Sequence, residues 1–213
     1  MLGRKIAEIA AKVLKMKSMK NGVDVSHHQG IIDWKTVSTQ IDFAILKCSE
    51  GRSNVDKRFF KNVAECEKYN IPWGAYHFAT WNDEDEERDA KSEARLFLSI
   101  IKGIKLKPKL PLVLDIESNK PIPYTKKEME IYVKTFLNEI LNEGFDVAIY
   151  ASPSFLNQYF EQNHPFTNVK LWIADYTPPI NSIPGWKKVW MHQYTMKGKL
   201  NGINGYCDLN RLL

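Results

Sequence analysis

Along most of this chain, short apolar runs alternate with stretches whose apolar positions recur every three to four residues. The clearest run is Leu110–Glu117, LPLVLDIE. Pro111 stands near its start and the polar Ser118-Asn119-Lys120 comes after it, so it reads as a buried strand. Strand side chains alternate, which puts Val113, Asp115 and Glu117 on one face and Leu112, Leu114 and Ile116 on the other. The second face is aliphatic and calls for a layer of helices. The first turns acidic, with its two acidic residues about 7 Å apart at Cα. Acids at the end of an apolar strand are costly to desolvate unless a site satisfies or uses them. An acid/base pair is the expectation; an N-cap or surface turn is the plainer alternative.

The rest of the chain falls into place around this strand. Gly22–Ser26 and Phe43–Cys48 read as strands, with a short helical piece over Trp34–Gln40 between them. Val55–Tyr69 reads as a helix with Phe59, Val63 and Cys66 inward, broken by Asn70-Ile71-Pro72. Trp73–Phe78 is the third strand. Asp83 is expected to cap the helix that carries Ala90, Ala94, Phe97 and Ile101 to Gly103. After the LPLVLDIE strand, Thr125-x-x-Glu128 forms a capping box for a helix with Met129, Tyr132, Phe136 and Ile140, which stops at Gly144. Asp146–Ala151 is the fifth strand and Pro153–Glu161 a short helix. Three helix-poor strands complete the chain, Lys170–Ala174, Lys188–Tyr194 and Gly205–Leu209. Five strand–helix units and three further strands predict an α/β fold, a TIM-like barrel of eight strands with about five helices, (βα)5(β)3. An open doubly wound sheet is the competitor, but no Gly-rich phosphate loop follows any strand.

Charge refines the domain plan. Residues 1–20 carry six basic residues against Glu8 alone, whereas residues 21–213 balance at 24 basic and 24 acidic. The basic segment, with Ile6, Ile9, Ala10, Val13 and Met16 at helical spacing, reads as an amphipathic leader. Glu8 and Lys12 interrupt any signal-peptide core. The domain plan is therefore a leader over 1–20 and a catalytic barrel over 21–213. A neutral barrel argues against nucleic acid as partner. No run approaches the ~20 apolar residues of a membrane span. Cys48, Cys66 and Cys207 are too scattered for a disulfide framework.

In a parallel barrel the active site gathers at the C-terminal ends of the strands. There the sequence places Asp24, Glu50, Tyr76 and His77, Asp115 and Glu117, Tyr150, Asp175 and Tyr176, Gln193, and finally Asp208 and Asn210. Acids held together cannot all ionise at ordinary pKa, so at least one is expected to keep a proton near neutrality, as a general acid must. Aromatic rings beside acids suit sugar binding, and a glycosidase fits better than an acyl or phosphoryl transferase. The five histidines show neither H-x-H nor H-E-x-x-H, so no metal and no cofactor is expected. No G-x-S-x-G occurs, and His77 is expected to be structural.

The segment Asp24-Val25-Ser26-His27-His28-Gln29-Gly30 resembles the opening signature of glycoside hydrolase family 25, the lysozymes of bacteria and their phages. The resemblance continues through Lys47-Cys48-Ser49-Glu50-Gly51, Gly74-Ala75-Tyr76-His77-Phe78, Leu114-Asp115-Ile116-Glu117, Leu171-Trp172-Ile173-Ala174 and Gln193-Tyr194 to Asp208-x-Asn210, covering residues 21–213. It implies an eight-stranded barrel that hydrolyses the β-1,4 bond between N-acetylmuramic acid and N-acetylglucosamine in peptidoglycan. By position, Glu117 is similar to the family's general acid and Asp115 to its partner, with Asp24 and Asp208 completing the acid cluster. Tyr76, Tyr150, Trp172 and Gln193 are similar to sugar-contacting positions, with Glu50 and Lys47 as polar support, and Asp175 is peripheral. On physical grounds set beside this resemblance, Asp115, one pleat deeper than Glu117 and paired with polar neighbours, is expected to stay ionised. The expected setting is the cell wall, the expected partner its glycan strands, and the expected state a monomer. The alternatives are a chitinase-like glycosidase and a catalytically inactive wall-binding barrel.

Overall fold

The computed structural model describes residues 20–81, 85–117, 124–177 and 179–213. Asp83, expected to cap a helix, and residues 1–19 of the leader lie outside the described residues. The strands are β1 (Asn21–Val25), β2 (Phe43–Glu50), β3 (Asn54–Val55), β4 (Trp73–Phe78), β5 (Leu112–Asp115), β6 (Val147–Ala151), β7 (Lys170–Ala174), β8 (Met191–Gly198) and β9 (Cys207–Leu212). The helices are α1 (Trp34–Val37), α2 (Phe59–Lys68), α3 (Glu86–Gly103), α4 (Lys126–Asn142) and α5 (Pro153–Tyr159), with a 3-10 turn at His27–Gln29.

Eight strands close in the order β1-β9-β8-β7-β6-β5-β4-β2, with β2 pairing back onto β1, and β3 is a two-residue ribbon on the end of β2. The expected barrel with about five helices is therefore present. Its helices segregate as the alternation of β5 requires. Leu112, Leu114 and Ile116 belong to the outer core, where the helices contribute Phe97, Tyr132 and Phe136. Val113 faces the barrel interior with Phe43, Ile45, Ala148, Tyr150, Trp172 and Met191. Burying both faces of each strand is what excludes water from a parallel sheet.

Several boundaries differ from expectation for local reasons. The helix expected from Val55 starts at Phe59, because Asn54 and Val55 pair with the end of β2 and Asp56 turns the chain, its Oδ1 accepting from the Arg58 N–H at 2.9 Å. Asp85 is the N-cap of α3, accepting from the Arg88 N–H at 2.8 Å. The last two strands begin and end later than their apolar runs because a hairpin joins them. That hairpin makes β9 antiparallel to both of its neighbours. The reversal matters for the site: Asp208, near the start of β9, lies opposite Asp24 near the end of β1.

Candidate active site

One cavity of about 400 Å³ opens at the C-terminal rim of the barrel, and all ten sequence-predicted site residues line it. Asp24 comes from β1, Lys47 and Glu50 from β2, Tyr76 from β4, Asp115 from β5 with Glu117 two residues on, Tyr150 from β6, Trp172 from β7, Gln193 from β8 and Asp208 from β9. Among the described residues, five carboxylates thus face one lysine. Asp175 is not in the lining; its carboxylate closes its own loop, accepting from Thr177 and Asn181.

The floor is a connected polar chain. Trp172 Nε1 donates to Asn210 Oδ1 at 2.8 Å, and Asn210 Nδ2 donates to Asp24 Oδ1 at 2.7 Å. Gln193 Nε2 donates to the same oxygen at 3.0 Å, while Gln193 Oε1 accepts from the hydroxyls of Tyr150 at 3.0 Å and Tyr176 at 2.6 Å. Trp172 is only 1% exposed and stacks edge-on against Tyr150, so it supports the floor from inside the barrel. The Tyr176 hydroxyl and the Asn210 amide were visible in the sequence as strand-end polar groups, but nothing there tied them to Gln193 and Asp24. His28 and Gln29 also line the cavity. Sequence reasoning assigned neither, since each lies beyond the end of β1.

The acids do not share one protonation behaviour. Burial pushes Asp115 well above the ordinary carboxylate range, and Glu117 adds to the effect while Lys47 opposes it. Its Oδ1 is buried with no hydrogen-bond partner among the described residues. The expectation that Asp115 has polar neighbours holds for the Lys47 charge but not for Oδ1, and burial makes its carboxyl harder to ionise than the sequence suggested. Glu117 is also raised, first by burial and then by Asp208, with the Tyr150 hydroxyl and Lys47 pulling the other way. Asp24 is raised well above its usual value by burial and by Asp208, despite the two amide donors. All four acids are thus harder to ionise than free carboxyls, because burial and their mutual repulsion both oppose charge.

A β-bulge explains how Lys47 and Glu50 both reach this cavity. Lys47 pairs with Tyr76 and Ser49 with His77, so Cys48 is an extra residue on β2. An extra residue resets the alternation and re-aims the side chains beyond it. Lys47 Nζ meets Glu50 Oε2 at 2.7 Å, and Gly51, at φ +56°, turns the chain immediately afterwards. On the outer side, Ser49 Oγ lies 2.9 Å from His77 Nδ1, and His77 Nε2 lies 2.7 Å from Glu93 Oε2. All three residues are fully buried, and Thr80 and Tyr132 also donate to Glu93. Burial opposes the Glu93 charge, but His77 and the two hydroxyls offset it and hold the carboxyl below its usual value. His77 is thus structural, as expected, and pins the bulge. Ser49→Ala is expected to strand His77 Nδ1, costing about 1–3 kcal/mol of stability. It should also lower turnover by loosening Glu50. Denaturant midpoints and activity on the same samples check both.

An eight-stranded barrel with a carboxylate-rich cavity at the C-terminal rim is an arrangement that glycoside hydrolysis can use. The family model described as glycosyl hydrolases family 25 matches residues 23–203, and the chain belongs to that family. It is 30% identical over 199 residues to Lysozyme M1 of Streptomyces globisporus, covering 89% of this chain and 66% of that protein. The solved bacterial lysozyme of Streptomyces coelicolor superposes with a TM-score of 0.81 at 29% identity, covering 92% of both chains. A family 25 glycosyl hydrolase from Bacillus anthracis superposes with a TM-score of 0.78 at 30% identity, covering 90% of this chain and 88% of that one. The chain spans between 54% and 68% of the length of the curated relatives it matches.

Proposed function

We propose that this chain is a muramidase: it hydrolyses the β-1,4 bond between N-acetylmuramic acid and N-acetylglucosamine in peptidoglycan, acting on the cell wall as a monomer. The observation that carries the reading is the meeting of Asp24, Asp115, Glu117 and Asp208 in one rim cavity floored by Tyr150 and Trp172. Membership of the glycosyl hydrolase family and the likeness to Lysozyme M1 support it.

Glu117 acts as general acid, and its raised pKa suits a residue that must arrive protonated. The Asp115 carboxylate, which lines the cavity, takes an N–H from the substrate's acetamido group. A donor placed there favours the Asp115 carboxylate, and the charge on Asp115 in turn favours a proton on Glu117. Substrate binding therefore favours the charged form of Asp115 and the protonated form of Glu117. As the C1–O bond breaks, Glu117 protonates the departing oxygen and the Asp115 carboxylate stabilises the positive charge at the sugar; water then forms the new C1–O bond and its released proton restores Glu117. Lys47 keeps the depth of Asp115 from locking it neutral.

Mass analysis of the reducing ends released from purified peptidoglycan tests the reading. New N-acetylmuramic acid reducing ends are the expected product. Release of N-acetylglucosamine ends, or cleavage of chitin oligomers in preference to peptidoglycan, would replace it with a chitinase-like activity. Binding to walls without any product would make the barrel a binding module.

A further inference from the structure

At the end of the barrel away from the acids lies a larger cavity, about 880 Å³, that the proposed reaction does not use. Lys170 opens β7, Trp190 immediately precedes β8, and Leu213 follows β9, whose reversed direction brings it to this end. The volume falls in the range of about 300–1,000 Å³ common to ligand sites.

Its walls are built rather than incidental. His164 Nδ1 accepts from the Phe166 N–H at 3.0 Å, which leaves Nε2 as the donor to the Pro184 carbonyl at 3.1 Å. Burial also lowers the His164 pKa, so this ring is a neutral, fully engaged wall element. Trp186 packs on it with ring centroids 4.1 Å apart. Gly185 sits at φ +75°, and a Cβ there would come within 2.7 Å of the Gln162 carbonyl oxygen, so the two loops meet closely.

The lining has the opposite charge to the catalytic cavity. Among the described residues, Lys170, Lys187 and Lys188 line it and no acidic side chain does. Lys170 is paired with Asp146, while Lys187 and Lys188 are exposed and make no ion pair among the described residues. Lys105, Lys107 and Lys109, also exposed, occupy the loop that enters β5 at the same end. Residues 21–213 are balanced in charge overall, so the basic lining is a local feature of this cavity and not a general excess.

Ammonium groups beside side-chain amides and a half-buried indole suit a chain of alternating anions and hydroxyls. Lysines bind phosphate as point charges, the amides of Asn163 and Asn168 can meet hydroxyls, and Trp190 offers an apolar surface. We propose that this cavity binds phosphodiester-linked polyol chains attached to the cell wall, holding the barrel there with its acid-lined end free to engage glycan. That the polymer is met at the wall rests on the proposed function; the site itself does not.

The test uses the full chain and its Lys187→Glu/Lys188→Glu variant, both substitutions being at exposed positions. Retention is measured on purified walls before and after acid extraction of their phosphate polymers, and by titration with soluble poly(glycerol phosphate). The wild type should bind native walls and the soluble polymer at least tenfold more tightly than the variant does. Stripped walls should retain both equally, and rising salt should erase the difference. Turnover of soluble glycan strands should be the same for both proteins. Equal binding of the two proteins to poly(glycerol phosphate), or tighter binding of single-stranded DNA than of that polymer by the wild type, would overturn the site. Loss of glycan turnover with polymer binding intact would instead remove the proposed function and leave the site standing.

Discussion

Replacing Glu117 with Gln is expected to reduce lytic turnover by about two to four orders of magnitude, the usual contribution of a general acid. The amide nearly matches the carboxyl in shape but has no proton to give to the departing oxygen. Folding should survive, because Glu117 lies past the last ladder pair of β5 and its burial already disfavours the charge that the substitution removes. Melting temperature should therefore be no lower than the wild type's and wall retention should match it, which separates loss of chemistry from loss of structure. Lysis of muramic-acid-containing walls at a near-normal rate would end the assignment of Glu117. In the wild type, turnover should decline on the alkaline side as Glu117 loses its proton.

Asp115→Asn should give a protein that is more stable and almost inactive. Asp115 is 6% exposed, and its folded pKa lies above the unfolded value. The native state thus binds more protons than the unfolded chain, so stability is greatest below the unfolded pKa of about 3.9 and falls as pH rises through the folded value. Asn removes the charge that burial opposes and can donate to Glu117. At pH 8 the variant is expected to gain about 1–3 kcal/mol, the scale of one unsatisfied buried polar group. At roughly 2–4 °C per kcal/mol for a chain of this size, melting should rise by several degrees. The gain should shrink at pH 4. Turnover should fall a hundredfold or more, because an amide cannot carry the negative charge that stabilises the cationic sugar. A melting difference that does not depend on pH would show that desolvation of Asp115 is not the cause.

The two variants differ in the size of their effect on pH-dependent stability. Each leaves three raised acids in place, so neither abolishes the dependence, but Asp115→Asn should reduce it more than Glu117→Gln because Asp115 is the more deeply buried and the more strongly raised of the two.

How much of this was legible in the sequence depends on the range over which the responsible interactions act. The alternation of Leu112 to Glu117, the Thr125–Glu128 capping box and the inward Phe59, Val63 and Cys66 are local patterns, and each reappears in the structure. Seven of the ten site residues could be picked out because barrel topology sends one end of every parallel strand to the same rim; Lys47 and Trp172 followed only from the family resemblance, and Asp208 reaches the rim on an antiparallel strand. Charge states could not be read that way. How strongly Asp115 resists ionisation depends on its depth, its unpartnered Oδ1 and the charge of Glu117, none of which periodicity reports. The Cys48 bulge was hidden too, since an extra residue in a ladder is defined only by the strand it fails to match.

By itself, then, the sequence determined the strand and helix order, the acid-rich rim and the kind of chemistry those acids can do, because periodicity and side-chain chemistry belong to the chain before it folds. Only the tertiary structure decided that β9 runs backwards to bring Asp208 opposite Asp24, that Lys47 and Glu50 share one cavity, and that lysines gather at the other end. Those facts depend on pairings between residues far apart in the chain, and burial and mutual repulsion act only once such residues have met.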